Sequence, residues 1–239
     1  MRLFLERLYD CSAYRSGSAG DGKYSHGVIF CWKANNVEPI LLSTHSLIFF
    51  SVHTIEPYYN WRHLYQASED PQSPLYGYFN SEVHFTDQIF DHVIHPQWDS
   101  IGCETLYLKI LFVDYAIGYA VIEFFGEWND AVHNDIMRVK RDLIDEMLPA
   151  GIDKFILIGE NILNFHADEA DYYDEWLEEV PDGWMAFLNL RAHVLDELSS
   201  YSLDMYFVLG GTLDALNWRT KTPQQLYAQI SAVVQRRLG

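Results

Sequence analysis

Basic residues are scarce in this sequence. Its 239 residues include 16 Lys and Arg against 34 Asp and Glu, which gives a net charge of −18 at pH 7. Proteins that bind double-stranded nucleic acid neutralise phosphates with Lys and Arg, so this composition argues against a nucleic-acid partner. Attraction to an anionic membrane surface depends on the same residue types, and a membrane partner is therefore not expected.

Cysteines and long apolar runs are scarce as well. The three cysteines, Cys11, Cys31 and Cys103, lie far apart. Their odd number and wide spacing argue against a disulfide framework and against a zinc knuckle. No stretch approaches the ~20 apolar residues of a membrane span. The first ten residues carry charges within their apolar stretch, unlike a secretory signal. We therefore expect a cytoplasmic protein.

Motifs of known catalytic and cofactor sites are missing. The sequence has no nucleophile elbow, no Rossmann glycine pattern, no HExxH and no paired-cysteine motif. We therefore predict no metal site and no cofactor. The partner that remains is an unidentified protein or a small molecule, and an oligomer is compatible with the sequence.

The central feature of the chain is the stretch from Asp153 to His166. It contains a short apolar run, residues 155–158, closed by Gly159. A run of this length is typical of a strand buried on both faces. Segments with helical periodicity lie on either side, which indicates a central parallel strand of an α/β domain.

The order of elements from residue 104 onward extends this prediction. Strands are predicted over residues 105–113, 119–126, 153–158, 184–190 and 203–209, and helices over residues 130–148, 169–180, 192–200 and 222–238. Right-handed crossovers then give a mostly parallel sheet with one antiparallel member. We predict an α/β fold in residues 101–239, with helices on the faces of a mixed sheet. An irregular, partly β region, residues 1–100, precedes it, and one continuous sheet through both parts is an open alternative.

This element order is similar to that of the STAS domains, which include anti-anti-sigma factors. The resemblance covers residues 104–239. Regulatory members of that family carry a phosphorylated Ser or Thr at the helix after the third strand, whereas residues 160–198 here contain no Ser or Thr. The resemblance therefore implies a fold and no functional residue.

The N-terminal region carries two candidate sites. Residues 24–33 and 40–52 are predicted strands, and residues 86–94 a short helix that places His92 and His95 on one face. A metal site there would need further ligands. Residues 53–81 are unusually rich in Tyr, Trp and Phe. Their rings either pack on the domain as part of a long loop or form a recognition surface for a sugar, nucleoside or peptide.

Polar residues also follow the predicted strands, at ends that we expect to share one edge of the sheet. Glu127 and Glu160 are candidates for an acid–base pair or a magnesium site, and His166 is a third catalytic candidate. The candidate ligand-binding residues are Asn161, Asn189, Arg191, Gly210, Gly211 and Arg219. The alternative is that these loops only cap helices, turn the chain and close the layer.

Acidic residues are concentrated just after the central strand. No Lys or Arg occurs between Lys154 and Arg191, while eight Asp and Glu lie between Asp168 and Asp182. Such a run is either a solvated face, a docking face for a basic partner or a divalent-cation site. We favour a cytoplasmic binding or regulatory module that acts through this acidic helix and the aromatic surface. The alternative is a small hydrolytic or metal-assisted enzyme at the strand ends.

Overall fold

The N-terminal region contains two small sheets. The computed structural model describes residues 9–12, 30–33, 40–43, 46–49, 53–80, 88–89 and 92–238. The first sheet is antiparallel in sequence order: β1 (Tyr9–Ser12), β2 (Phe30–Lys33), β3 (Ile40–Ser43) and β4 (Ser46–Phe49). The second has the order β5-β7-β6, with β5 (His53–Ile55), β6 (Gln88–Ile89) and β7 (His92–Ile94).

The main sheet has the order β11-β10-β9-β8. Its strands are β8 (Leu106–Asp114), β9 (Tyr119–Asn129), β10 (Lys154–His166) and β11 (Trp184–Leu188). Strands β9, β10 and β11 run parallel, and β8 pairs antiparallel with β9. This arrangement confirms the predicted α/β class and the single antiparallel member.

Helices cover both faces of this sheet. They are α1 (Asp130–His133), α2 (Asp135–Val139), α3 (Asp145–Met147), α4 (Asp171–Glu179), α5 (Ala192–Ser200) and α6 (Pro223–Leu238). A π-helical turn, Lys140–Ile144, joins α2 to α3, and the short 3-10 turns are Leu148–Ala150, Leu203–Tyr206, Gly211–Leu213 and Trp218–Thr220. Helix α6 begins as predicted, because the side chains of Thr222 and Gln225 each accept the other's backbone N–H, at 3.2 and 3.0 Å.

Successive side chains of each strand point to opposite faces of the sheet. Both faces are apolar, and each packs into its own hydrophobic core. In the first core, β9 residues such as Ile122 and Phe124 pack with α2 to α5. In the second core, the opposite residues, such as Val121, pack with α6. Residues 57–80 take part in both, since Trp61 joins the second core and Leu75 the first.

Glycines that were predicted to end two strands lie within them instead. Strand β9 passes Gly126, and β10 passes Gly159 to end at His166. At Gly126, φ is +113° and an added Cβ would lie 2.1 Å from the carbonyl oxygen of Thr105. A side chain cannot fit there, so glycine is required where the backbone of β9 passes close to that of Thr105.

The predicted helix over residues 130–148 is broken, which corrects the sequence-based expectation. Asn134 is left-handed, with φ of 52°, and Val132, expected in the apolar stripe, is 73% exposed. The cause is local competition for backbone donors. Asp130 accepts the N–H of Ile136, and Asp135 accepts the N–H of Asn129, both at 2.8 Å.

Three other predicted elements were wrong. Residues 86–94 were expected to be helical, but His92–Ile94 pairs in parallel with His53–Ile55, so His92 and His95 share no helical face. Within the predicted strand over residues 40–52, the described residues 40–43 and 46–49 form two antiparallel strands, β3 and β4. Residues 203–209 make a 3-10 turn and one bridge, between Ala186 and Val208. In each case long-range pairing or packing overrides the local pattern.

Candidate functional site

A buried carboxylate lies at the centre of the strand-end region. Glu123 is a single acidic residue within the apolar run of β9, and its side chain is fully buried in the face that carries the second core. Its Oε2 accepts the backbone N–H of Tyr58 at 2.9 Å. Its Oε1 accepts hydrogen bonds from Asn161 Nδ2 at 3.2 Å and from Arg219 Nη2 at 3.3 Å. The charge is thus buried with a cation and two further donors.

Arg219 joins this carboxylate to a second one. Its guanidinium forms an ion pair with Glu160 as well as Glu123 and lies 4.5 Å from the ring centre of Trp218. Glu160 Oε2 accepts Asn189 Nδ2 at 3.3 Å. All four carboxylate oxygens of the two glutamates therefore contact donors from this chain.

The same group fastens distant segments to the sheet. Arg191 Nε donates to the backbone oxygen of Glu160 at 3.2 Å. The amide of Asn189 donates to the carbonyl of Leu216 at 3.0 Å and accepts its N–H at 2.7 Å. The Tyr58 hydroxyl donates to the carbonyl of Arg219 at 2.6 Å. The structure thus brings Asn161, Asn189, Arg191 and Arg219 together, but it places Asn161 within β10, which continues to His166, and not at a strand end.

Burial raises the pKa of Glu123 to about 7. The donated hydrogen bond from Tyr58 and the charge of Arg219 oppose this shift, while the nearby carboxylate of Glu160 adds to it. A carboxyl group with this pKa exchanges a proton near neutral pH, which is a property of general acids and bases. Because protein groups surround the carboxyl group of Glu123, it can take up or release a proton but does not contact a substrate.

Glu127 and Glu160 do not form the predicted acid–base pair. Glu127 lies opposite Asn164 of β10, four residues beyond Glu160, which corresponds to about 13 Å along a strand. Its Oε1 instead contacts His166 Nε2 at 2.7 Å. This imidazole–carboxylate pair is separate from the Glu123 group.

Gly210 and Gly211, two of the predicted ligand-binding residues, lie in a turn that packs on helix α6. Gly210 and Gly211 both have positive φ, at 83° and 65°, as a sharp turn after Leu209 requires. The guanidinium of Arg237 donates to the carbonyls of Leu209 and Gly210, at 2.5 and 2.8 Å. These glycines therefore close the chain onto the end of α6.

A cavity of about 160 Å³ opens beside residues 57–80, on the aromatic segment. The aromatic side chains that line it are Tyr58, Tyr59, Tyr65, Tyr78 and Phe79. The polar and charged side chains that line it are Arg62, Gln66, Ser68, Asn80, Gln97, Asp99 and Lys109. Aromatic walls with a few convergent polar groups are the usual composition of a small-molecule site.

An ion pair between the buried Asp99 and the partly exposed Lys109 forms the polar part of this cavity. Asp99 is 3% exposed, and its carboxylate lies 3.0 Å from Lys109 Nζ and 2.5 Å from Asn80 Nδ2. Burial raises the pKa of Asp99, while Lys109 and Asn80 oppose that shift. Because its donors hold it in place, this carboxylate is a fixed acceptor facing the cavity.

Most carboxylates of the acidic helix α4 already have partners. Glu175 receives two hydrogen bonds from Arg141, at 2.6 and 2.8 Å. Glu179 contacts the buried Lys140 Nζ at 2.6 Å, and Asp174 accepts the hydroxyl of Tyr206 at 2.6 Å. The helix therefore presents less uncompensated charge than its sequence suggests.

Sequence reasoning missed the two most deeply buried site residues. Glu123 was visible as the single charge in the predicted strand over residues 119–126, whereas Asp99 precedes β8 and Lys109 lies within it, without any motif. This position alone could have marked Glu123 as a site residue, because a charged side chain inside a buried strand requires a partner. Nothing local to Asp99 indicates its contact with Lys109.

The described residues contain no group of three or more His, Cys, Asp or Glu side chains arranged to hold a metal ion. Within the same part of the chain, no helix has the length and apolar composition that crossing a bilayer requires.

Comparison with models of protein families and with curated protein sequences found no match. Among solved structures, the anti-sigma factor antagonist SpoIIAA in its unphosphorylated form is similar to this chain. The similarity covers 52% of this chain and 96% of the other, at 11% sequence identity and a TM-score of 0.37. At this level it transfers no functional residue.

Proposed function

We propose that this protein is a binding module whose ligand is a small molecule held in the aromatic cavity. The observation that carries the proposal is the cavity itself, where aromatic walls surround the buried Asp99–Lys109 pair. Tyr78 and Phe79, which line it, are 50% and 88% exposed, so aromatic surface at the cavity is accessible to a ligand. Exposed aromatic groups beside fixed polar groups are typical of recognition sites.

An enzyme centred on the strand ends has less support. Its best feature is Glu123, whose pKa lies near neutrality because the side chain is buried. However, both oxygens of Glu123 and of Glu160 are occupied by Tyr58, Asn161, Arg219 and Asn189. A catalytic carboxylate has to reach the substrate, whereas these side chains bind one another.

The acidic helix is a weaker candidate for a docking face. Its carboxylates at Asp174, Glu175 and Glu179 are engaged by Tyr206, Arg141 and Lys140. A basic partner would compete with these contacts for the same oxygens, which lowers the gain in free energy from docking.

A thermal-shift screen with a matched pair of variants tests the proposal. A compound present at a hundred times its dissociation constant stabilises the native state by about 2.7 kcal/mol. Tyr76 and Tyr78 are 60% and 50% exposed, but of the two only Tyr78 lines the cavity. We expect Tyr78→Ala to remove the shift and Tyr76→Ala to retain it. Equal shifts in both variants would place the ligand elsewhere.

A further inference from the structure

We infer that the cavity takes one neutral, polyhydroxylated ring, which makes its ligand a member of the monosaccharide class. This inference rests on the proposed function and specifies its ligand. It follows from four properties of the cavity: its size, its walls, its polar groups and its balance of charge.

Size limits the ligand to a single ring. The cavity has a volume of about 160 Å³, close to the ~150 Å³ of an engineered cavity that holds benzene. One six-membered ring with its substituents fits such a space, with part of it projecting past the exposed Phe79. A nucleoside carries a base and a ribose, so a larger part of it would lie outside the cavity.

The walls suit a ring with an apolar face. Five aromatic side chains line the cavity, four of them tyrosines. Aromatic faces attract the slightly positive edges of neighbouring groups because their π-systems carry a negative face. The C–H groups on one side of a pyranose ring present such a positive surface, while the hydroxyl groups point outward around the ring.

The polar groups suit hydroxyls. Asp99 accepts hydrogen bonds, Lys109 donates them, and the side-chain amides of Asn80, Gln66 and Gln97 do both. A hydroxyl group also donates one hydrogen bond and accepts others. Neighbouring hydroxyls on one ring can therefore accept from the partly exposed Lys109, which Asp99 holds in place, and bond to an adjacent amide.

Charge argues against an anionic ligand. Lys109 is ion-paired with Asp99 at 3.0 Å, and Arg62 Nε donates to Gln66 Oε1 at 3.0 Å. A phosphate would have to displace the contact with Asp99, inside a protein whose net charge is −18. Since a neutral ring leaves that ion pair intact, it avoids the cost of leaving the buried Asp99 without its cation.

The test is calorimetric titration of the full chain with two sets of compounds. One set contains methyl glycosides of glucose, galactose, mannose and xylose, together with myo-inositol. The other contains uridine, adenosine, adenosine monophosphate and inorganic phosphate. We expect saturable binding of at least one compound of the first set. Tyr78→Ala should weaken that binding about tenfold or more, and Tyr76→Ala should leave it unchanged.

A second pair of variants tests the polar part of the cavity. Asp99→Asn removes the charge that Lys109 faces, and Gln97→Ala removes an amide from the lining. Each should weaken glycoside binding about tenfold. Gln97→Ala keeps the test valid if the buried Asp99→Asn variant fails to fold.

The outcomes separate the two proposals. If a nucleoside or an anion binds and depends on Tyr78, while no glycoside or inositol binds, the ligand class is wrong and the binding function stands. If nothing in either set binds in a Tyr78-dependent manner, the ligand class is overturned and the small-molecule function loses its support as well.

Discussion

At the scale of single residues, the molecule places charged groups where water cannot reach them. Glu123 and Lys140 are fully buried, and Asp99 is nearly so. Each has partners of opposite charge on other elements: Arg219, Glu179 and Lys109. Removing one partner of such a pair leaves the other uncompensated, so these residues dominate the expected response to substitution.

The raised pKa of Glu123 predicts a specific pH dependence. A carboxyl group whose pKa rises from 4.5 to about 7 on folding binds more protons in the native state. Its contribution to stability is therefore largest at low pH and is lost as the pH rises towards 7. Between pH 6 and pH 8 the wild type should lose on the order of 1 kcal/mol of unfolding free energy through this group.

Urea unfolding of Glu123→Gln at pH 6 and pH 8 measures that loss. The variant cannot titrate at this position, so its difference between the two pH values should be smaller than that of the wild type. The exposed Glu178 provides the control, since Glu178→Gln should retain the wild-type difference. If Glu123→Gln shows the same change in unfolding free energy between pH 6 and pH 8 as the wild type, another group is responsible for that change.

The partners of Glu123 also show where prediction from sequence stops. The charge within β9 is visible in the sequence, but its donors Tyr58 and Arg219 lie 65 and 96 residues away. No local pattern encodes contacts of that separation. Asn161, Asn189 and Arg219 were predicted as a group on the rule that parallel strands bring their ends together, although residues 203–209 do not form the strand on which the placement of Arg219 relied.

At the scale of elements, local chemistry made some features predictable and others not. The start of α6 was predicted correctly because its capping box lies within four residues. The break after α1 was missed because it depends on buried Asp130 and Asp135, which take backbone donors from a neighbouring turn. Residues 203–209 were wrongly predicted as a strand because buried apolar residues occur in a packed 3-10 turn as well as in a strand.

The attachment of α4 to the π-helical turn gives the second prediction. Lys140 is buried between Asp145 and Glu179, whereas Arg141 is 44% exposed in its contact with Glu175. Lys140→Met should cost about 3 kcal/mol, at the lower end for a broken buried pair because both carboxylates keep contact with water. Arg141→Ala should cost much less, since exposed ion pairs contribute little.

Urea unfolding of both variants checks this order. Circular dichroism at low temperature should show that each remains folded, so that the comparison concerns stability alone. If Lys140→Met and Arg141→Ala lower the free energy of unfolding equally, Lys140 contributes no more than an exposed basic residue.

At the scale of the whole molecule, residues 57–80 are integral to the main fold. Trp61 is 4% exposed and packs against Trp218 at a ring-centre distance of 5.7 Å. Its Nε1 donates to the carbonyl of Lys221 at 3.2 Å. The sequence predicted an aromatic region and left open whether its rings pack or bind; Trp61 packs in the core, while Tyr78 lines the cavity.

Trp61→Ala gives the third prediction. Loss of a buried tryptophan typically costs 3–5 kcal/mol, so we expect about 4 kcal/mol. The half-exposed Leu64 is the control, and Leu64→Ala should change stability by less than about 0.5 kcal/mol. Limited proteolysis should cut residues 57–80 of the Trp61 variant first. Resistance equal to the wild type would contradict the role of Trp61 as the anchor.

The contacts of this segment also set the order of events during synthesis. Tyr58 and Trp61 leave the ribosome about 160 residues ahead of Arg219 and Lys221, whose carbonyl groups they bind. Until those residues emerge, the aromatic segment of the nascent chain lacks the surface on which it packs. Exposed aromatic groups of this kind are what chaperones bind and what aggregation exploits. Docking of residues 57–61 is therefore a late event of biogenesis, and the cavity that they wall forms with it.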